Sequence, residues 1–281
     1  MGFFDSSVVL DHMVINVRFQ MDEAELLFEG LGFQLTPRGH HSLGSINHLM
    51  MFGSDYLELL GLPPGSNARP ELANSPSTID GLVFKTEDVD ATYAHMKSLG
   101  MDGDPPKAFT RPLEIDGKAA EAAFRTVTVR SDVFAGGRVY FCEHATPQYL
   151  WHEPWMVHDN GVERTHEFVV VSAEPEAEAA RYAALVQREP AAAGNGTSAI
   201  DLGGASLVVM SREAYRDRFG DLALTGPDDA SFFGAISFGC GSLDATEKCL
   251  DGTHPGCRMR RSGEAIQVAV DPFNALLEFR T

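Results

Sequence analysis

Leu10-Asp11-His12-Met13-Val14-Ile15-Asn16-Val17 opens a stretch that closes on Asp55-Tyr56-Leu57-Glu58-Leu59-Leu60-Gly61, and the order of elements between them decides the fold. An apolar strand over 10–17 leads to an acidic helix start at Asp22-Glu23, a helical run through Leu26, Leu27 and Leu31, and Gly32 as a C-terminal stop. Strands near 33–39, 45–52 and 55–62 complete a β-α-β-β-β unit. The unit sets His12 and Glu58 inside otherwise apolar strands, where an unpartnered polar side chain is costly. A shared metal ion accounts for both.

The same order recurs. A second copy starts at Asp80-Gly81-Leu82-Val83-Phe84-Lys85, continues through a helix from Val89 to Leu99, and ends with strands near 121–130 and 138–144. A third starts at Thr165-His166-Glu167-Phe168, with a helix from Pro175 to about Gln187 and strands near 197–202 and 205–211; its second strand is poorly defined in the Ala/Gly-rich 191–196. The fourth has a strand at 234–238, a helix from Leu243 to Leu250 and a last strand at 275–279. Helix starts at Asp22, Asp90, Glu176 and Asp244 give intervals of 68, 86 and 68 residues, so two halves join inside the long one. The expected organisation is α+β: four units forming two paired halves. The N-terminal half spans 8–160, with units at 8–64 and 78–145 plus a packed connector rich in Pro and aromatic residues, and a degenerate C-terminal half spans 161–281. Amphipathic helices cover one face of each sheet and leave the other to curve around a site.

Composition limits the partners. The chain has 281 residues, 44% of them apolar, and a formal net charge of -18, which disfavours nucleic acid and anionic membrane surfaces. Small molecules are the expected partners. No apolar run approaches the ~20 residues that span a bilayer, and the N-terminus lacks the basic start and apolar core of a secretory signal, so a cytoplasmic location is expected. Four irregularly spaced cysteines make no disulfide framework and no zinc ribbon. Paired units within one chain remove any need for a dimer to complete a site, and either a monomer or a homodimer fits.

Three segments carry a family resemblance: Leu10 to Ile15; Arg38-Gly39-His40-His41-Ser42-Leu43-Gly44-Ser45-Ile46-Asn47-His48 with Tyr56-Leu57-Glu58-Leu59; and Cys142-Glu143-His144-Ala145-Thr146-Pro147 through Trp151, Trp155, His158, Asn160 and Gly161. On these residues the chain resembles the vicinal oxygen chelate superfamily, and within it the glyoxalase-like-domain proteins. The resemblance implies metal ligation by His12 on the first strand and Glu58 on the fourth. An imidazole and a carboxylate suit a divalent Zn, Fe, Mn, Ni or Co. In unit two Gly81 takes the place equivalent to His12, so a symmetric four-ligand site is incomplete. Aligning Gly53 to Glu58 with Gly137 to Cys142 sets Cys142 opposite Glu58, and strand alternation sends His144 to the same face. His144 is therefore the third candidate ligand or a site acid/base; a bulge or a one-residue slip would exchange it with Glu143. A competing arrangement recruits His166 and Glu278 from the other half.

His48, on the third strand, is a candidate acid/base or substrate contact. Asn47 and Arg38, with His40 and His41, form a polar loop placed to meet substrate, and Trp151 is a candidate wall of the pocket; Trp155 and His158 pack the connector. The resemblance implies a metal-dependent enzyme of isomerase, lyase or dioxygenase type acting on a small oxygenated substrate. The alternative is a metal-free sequestering protein of bleomycin-resistance type, with Trp151, Phe52 and Met50-Met51 against an apolar ligand.

Overall fold

Strand alternation along Leu10–Arg18 (β1) sends Met13, Ile15 and Val17 into one apolar core and Val14 into another, so this central strand has two buried faces. The structure, a computed structural model, describes residues 8–115, 117–250 and 255–281. The first half continues with α1 (Met21–Gly30), β2 (Gly39–His40), β3 (Ile46–Met51), β4 (Tyr56–Gly61), α2 (Pro70–Asn74), β5 (Thr78–Lys85), α3 (Val89–Leu99), β6 (Lys107–Ile115), β7 (Lys118–Thr128) and β8 (Arg138–His144). After two short 3-10 turns the second half follows: β9 (Val162–Ser172), α4 (Pro175–Val186), β10 (Ala191–Gly194), β11 (Thr197–Asp201), β12 (Ser206–Ser211), α5 (Arg212–Phe219), β13 (Phe232–Cys240), α6 (Leu243–Leu250), β14 (Cys257–Ser262), β15 (Ala265–Val270) and β16 (Ala275–Arg280).

Each half is one eight-stranded sheet, ordered β2-β3-β4-β1-β5-β8-β7-β6 and β10-β11-β12-β9-β13-β16-β15-β14. Within a unit the first and last strands pair in parallel, and two units join through antiparallel first strands, β1 with β5 and β9 with β13. Unit one therefore pairs with unit two, as expected from chain continuity, and the arrangement pairing units one and three is set aside. The expected strand at 33–39 shrinks to Gly39–His40: Phe33 and Leu35 turn into the core from an irregular segment, and Pro37 has no N–H for a ladder.

Local signals place the helices. α1 opens on Asp22 and Glu23, buries Met21, Ala24 and Phe28, and is followed by Gly32 at φ +78°, where a Cβ would lie 2.3 Å from Cys249 Sγ. α3 is capped by Asp88, which accepts from Ala91 N at 2.9 Å, and stops at Gly100 with φ +66°. The helix-covered faces of both sheets merge into one core, in which Phe33 and Phe52 meet Phe238 with ring centres 5.6 and 5.4 Å apart.

The concave faces differ. In the second half α5, which the repeat pattern did not announce, lays Tyr215 and Phe219 over Val169, Val171, Val208 and Met210. Its Arg218 pairs with Glu167 at 2.6 Å and with Glu278. Burial alone would raise the Glu278 pKa, but the hydrogen bond and charge of Arg218, helped by Gln267, hold it below its ordinary 4.5. A depressed carboxyl contributes stability that is present above its unfolded pKa and lost as pH falls through the folded one. Glu278→Gln is expected to lower stability by about 2 kcal/mol at pH 7. The urea midpoints of variant and parent should converge as pH drops below 4.5.

Candidate functional site

A bulge builds the centre of the first half. β1 and β5 shift register between Leu10 and His12, so Asp11 is an extra residue, and its contacts place it on the same concave side as His12. Asp11 is 0% exposed and accepts from His12 Nδ1 at 2.7 Å and from His144 Nε2 at 2.8 Å. Burial by itself would raise its pKa; the attraction of His144 and the hydrogen bonds from both imidazoles pull it well below the usual carboxylate range. An ionised Asp11 only accepts, so His12 turns an Nδ1–H to it and presents Nε2 to the cavity. That Nε2 lies 3.2 Å from Tyr140 Oη, placed to donate to it, and 3.8 Å from Glu58 Oε2. The His12 ring stacks on Tyr56 at 4.4 Å, which fixes its plane.

The fourth strand supplies Glu58, whose Oε1 accepts from Asn47 Nδ2 at 2.7 Å. Asn47 Oδ1 in turn accepts from Arg111 Nη1 at 3.3 Å. These groups line a cavity of about 530 Å³, within the range of small-molecule sites. Phe109 and Phe124, stacked at 5.1 Å, give it an apolar wall. Four cationic side chains, Arg69, Lys107, Arg111 and Arg138, and three acidic ones, Glu58, Glu71 and Asp104, also line it. His41 joins them, held by Ser45 Oγ at 2.9 Å, and burial pulls its pKa down to about 4 against the opposing charge of Glu58. It is neutral at pH 7.

The structure thus brings together His12, Glu58 and Asn47 and leaves the other candidates elsewhere. His144 belongs to the buried cluster behind His12: its Nε2 is spent on Asp11, and its ring lies edge-on to Trp151. It does not complete a three-ligand set with His12 and Glu58. Among the described residues, the acid, imidazole and thiol groups with three donor atoms within 4.8 Å of one another are Asp11, Cys142 and His144. Both Asp11 oxygens there already accept from imidazoles, and burial pushes the Cys142 thiol well above its ordinary pKa. Glu143 points away, accepting from Val89 N at the start of α3.

His48 corrects the assignment of a catalytic group to the third strand. Alternation puts Asn47 and Leu49 on the cavity face and His48 on the helix face, where its Nδ1 meets Thr36 O at 2.8 Å and its Nε2 lies 3.3 Å from Glu25. Arg38 lies on that same side, paired with Asp22 and Glu25, and makes no part of the cavity lining. Trp151 packs behind Tyr56 at 6.1 Å, with Lys85 Nζ 4.4 Å from its ring centre, and does not wall the cavity either. Gly81 faces Val14, and the cross-strand neighbour of His12 is Val83. Neither residue offers a ligand, so unit two contributes no first-strand donor. His166, its side chain 37% exposed beside Glu167, and Glu278, bound by Arg218, belong to the second half.

Arg111, Lys107, Arg138, Tyr140 and Asp11 were missed from sequence. The one available signal was the Asp11-His12 pair itself, since two consecutive polar residues in an apolar strand mark a bulge.

The family model described as a glyoxalase-like domain matches residues 10–186. No curated protein matches the chain. Among solved structures, a hypothetical protein from Staphylococcus aureus matches with a TM-score of 0.66 and 11% identity, over 97% of this chain and 99% of its own. A triple mutant of 4-hydroxymandelate synthase from Streptomyces coelicolor gives 0.55 and 13%, over 97% and 92%. The Mn(II)-bound glyoxalase from Novosphingobium aromaticivorans gives 0.58 and 9%, over 96% and 81%. At these identities the likeness establishes the fold alone.

Proposed function

Because the chain belongs to the glyoxalase-like domain family, we propose that the cavity of its first half is the site of a metal-dependent enzyme acting on a small oxygenated substrate, by isomerase, lyase or dioxygenase chemistry. The observation that carries this reading is the approach of His12 Nε2 and Glu58 Oε2 to 3.8 Å across the cavity wall. With Nδ1 turned to Asp11, His12 presents Nε2 and Glu58 presents Oε2 to the same part of the cavity, an arrangement that a shared divalent cation would stabilise. The donor set fits a divalent ion held by His12 and Glu58, with Asp11 orienting the imidazole from behind and Asn47 the carboxylate. Such an ion supplies Lewis-acid stabilisation to an anion developing on substrate oxygen.

The rest of the work falls to the chain. Burial raises the Tyr140 hydroxyl above its ordinary pKa, so it stays protonated and is placed to donate to a substrate oxygen beside His12. Neutral His41 adds no positive charge to the cavity, and the Phe109–Phe124 wall excludes water from one side.

Elemental analysis of protein purified without a metal-affinity tag tests the proposal. Close to one divalent ion per chain is expected, with loss of that ion in both His12→Ala and Glu58→Ala. Full metal content in both variants overturns the assignment. A parent chain that carries no metal and takes none up points instead to the ligand-sequestering alternative.

A further inference from the structure

Among the described residues, Arg111 is the one cation of the cavity without an acidic partner. Arg69 pairs with Glu71 at 2.7 Å, Lys107 with Asp104 at 2.6 Å and Arg138 with Asp80 at 2.9 Å. Arg111 is 2% exposed, donates from Nη1 to Asn47 Oδ1 at 3.3 Å, and has no partner at Nε; among the described residues its guanidinium makes no ion pair. A guanidinium stays charged at any working pH, and a buried charge left uncompensated destabilises the fold that holds it. A structural arginine would be expected to find a carboxylate in a chain of net charge -18. This one is instead held at the cavity, one Asn47 side chain away from Glu58.

The geometry points to Arg111 as the seat of a substrate oxyanion, so that the cavity takes small organic acids whose carboxylate or other oxyanion docks on Arg111 while the neighbouring oxygenated carbon lies toward His12 and Glu58. The inference rests on the cavity being the substrate site of the reading above, and it adds the charge class of that substrate. The guanidinium fork suits a planar carboxylate. Its closeness to Glu58, with Asn47 as the bridge, implies a short acid with the anionic group near the reacting oxygens. Placing the positive charge in a water-poor concavity strengthens its pull on an anion, although the molecule as a whole is acidic.

Titration calorimetry on the full chain at constant ionic strength, after chelator treatment, is the test. The probes are 3-phenyllactate, its neutral amide 3-phenyllactamide, and inorganic phosphate. The acid is expected to bind at least tenfold more tightly than the amide. Arg111→Gln should remove that preference, and Arg111→Lys should keep part of it, because the charge survives and the fork does not. Arg111→Lys also guards against a folding defect in the glutamine variant. Phosphate binding that Arg111→Gln abolishes counts in favour as well. Three results overturn the inference: no anion binds the parent chain, acid and amide bind alike, or Arg111→Gln binds the anions as the parent does. Melting temperature gives a second readout, since removing an unpaired buried charge should leave anion-free Arg111→Gln at or above the parent; a fall with unchanged anion binding marks a purely structural arginine. Glu58→Gln separates this inference from the metal assignment. It should lose metal and keep the preference for acid over amide. An anion preference without metal in any preparation overturns the metal reading alone, and metal retained without an anion preference overturns this one alone.

Discussion

Asp11→Ala is expected to cost about 3–5 kcal/mol of stability, the range for removing one partner of a buried charged network. The carboxylate is 0% exposed and accepts from two imidazoles, so its loss leaves His12 Nδ1–H and His144 Nε2–H buried without acceptors. It also frees His12 to rotate or change tautomer, and affinity for a divalent ion should fall roughly 10–100-fold, as when the carboxylate behind a ligating histidine is removed. Asp11→Asn keeps the volume and one acceptor, and should lie between. Guanidinium unfolding and metal titration of the two variants provide the check. Parent-like midpoints together with parent-like metal affinity would show that the bulge carries no such role.

The second large effect concerns how the halves hold together. Phe238, from β13 of the second half, is 0% exposed and inserts among Phe33 and Phe52 of the first half and Phe279 of its own, with ring centres 5.4 to 5.8 Å away. Phe238→Ala leaves a cavity at this junction and should cost about 3–5 kcal/mol. For a chain of this size that corresponds to a drop of roughly 10 °C in melting temperature, taking 2–4 °C per kcal/mol. Because the helix-side core is continuous across both sheets, parent and variant alike are expected to unfold in one transition. Two separate calorimetric transitions in the variant would show that the halves are independent folding units.

Much of the architecture was legible because it is periodic. Strand β1, helix α1 and strands β3 and β4 follow from alternation, an acidic helix start and a glycine stop, and repetition of that order through the chain gave the four units and their pairing. What was not legible entered at departures from the period. α5 breaks the repeat and covers the second concave face, leaving Arg218 against Glu167 and Glu278. β6 brings Arg111 and Lys107 over the first concave face from a stretch that showed no strand signal, since its proline and charged residues obscure the alternation. His48 was misplaced by one residue of phase, and in a strand one residue is a change of face.

For this protein the sequence by itself determined the βαβββ repeat, the grouping of four units into two paired halves, and the placing of His12 and Glu58 on strands that meet, because these depend on short-range pattern and chain order. Tertiary structure alone decided which polar groups share the cavity. The one-residue bulge at Asp11 turned an expected ligand, His144, into part of a buried support behind His12, and packing of β6 set a guanidinium beside Asn47. The reason is physical: ladder register and the approach of distant strands are set by summed packing over the whole sheet, and no local pattern encodes them.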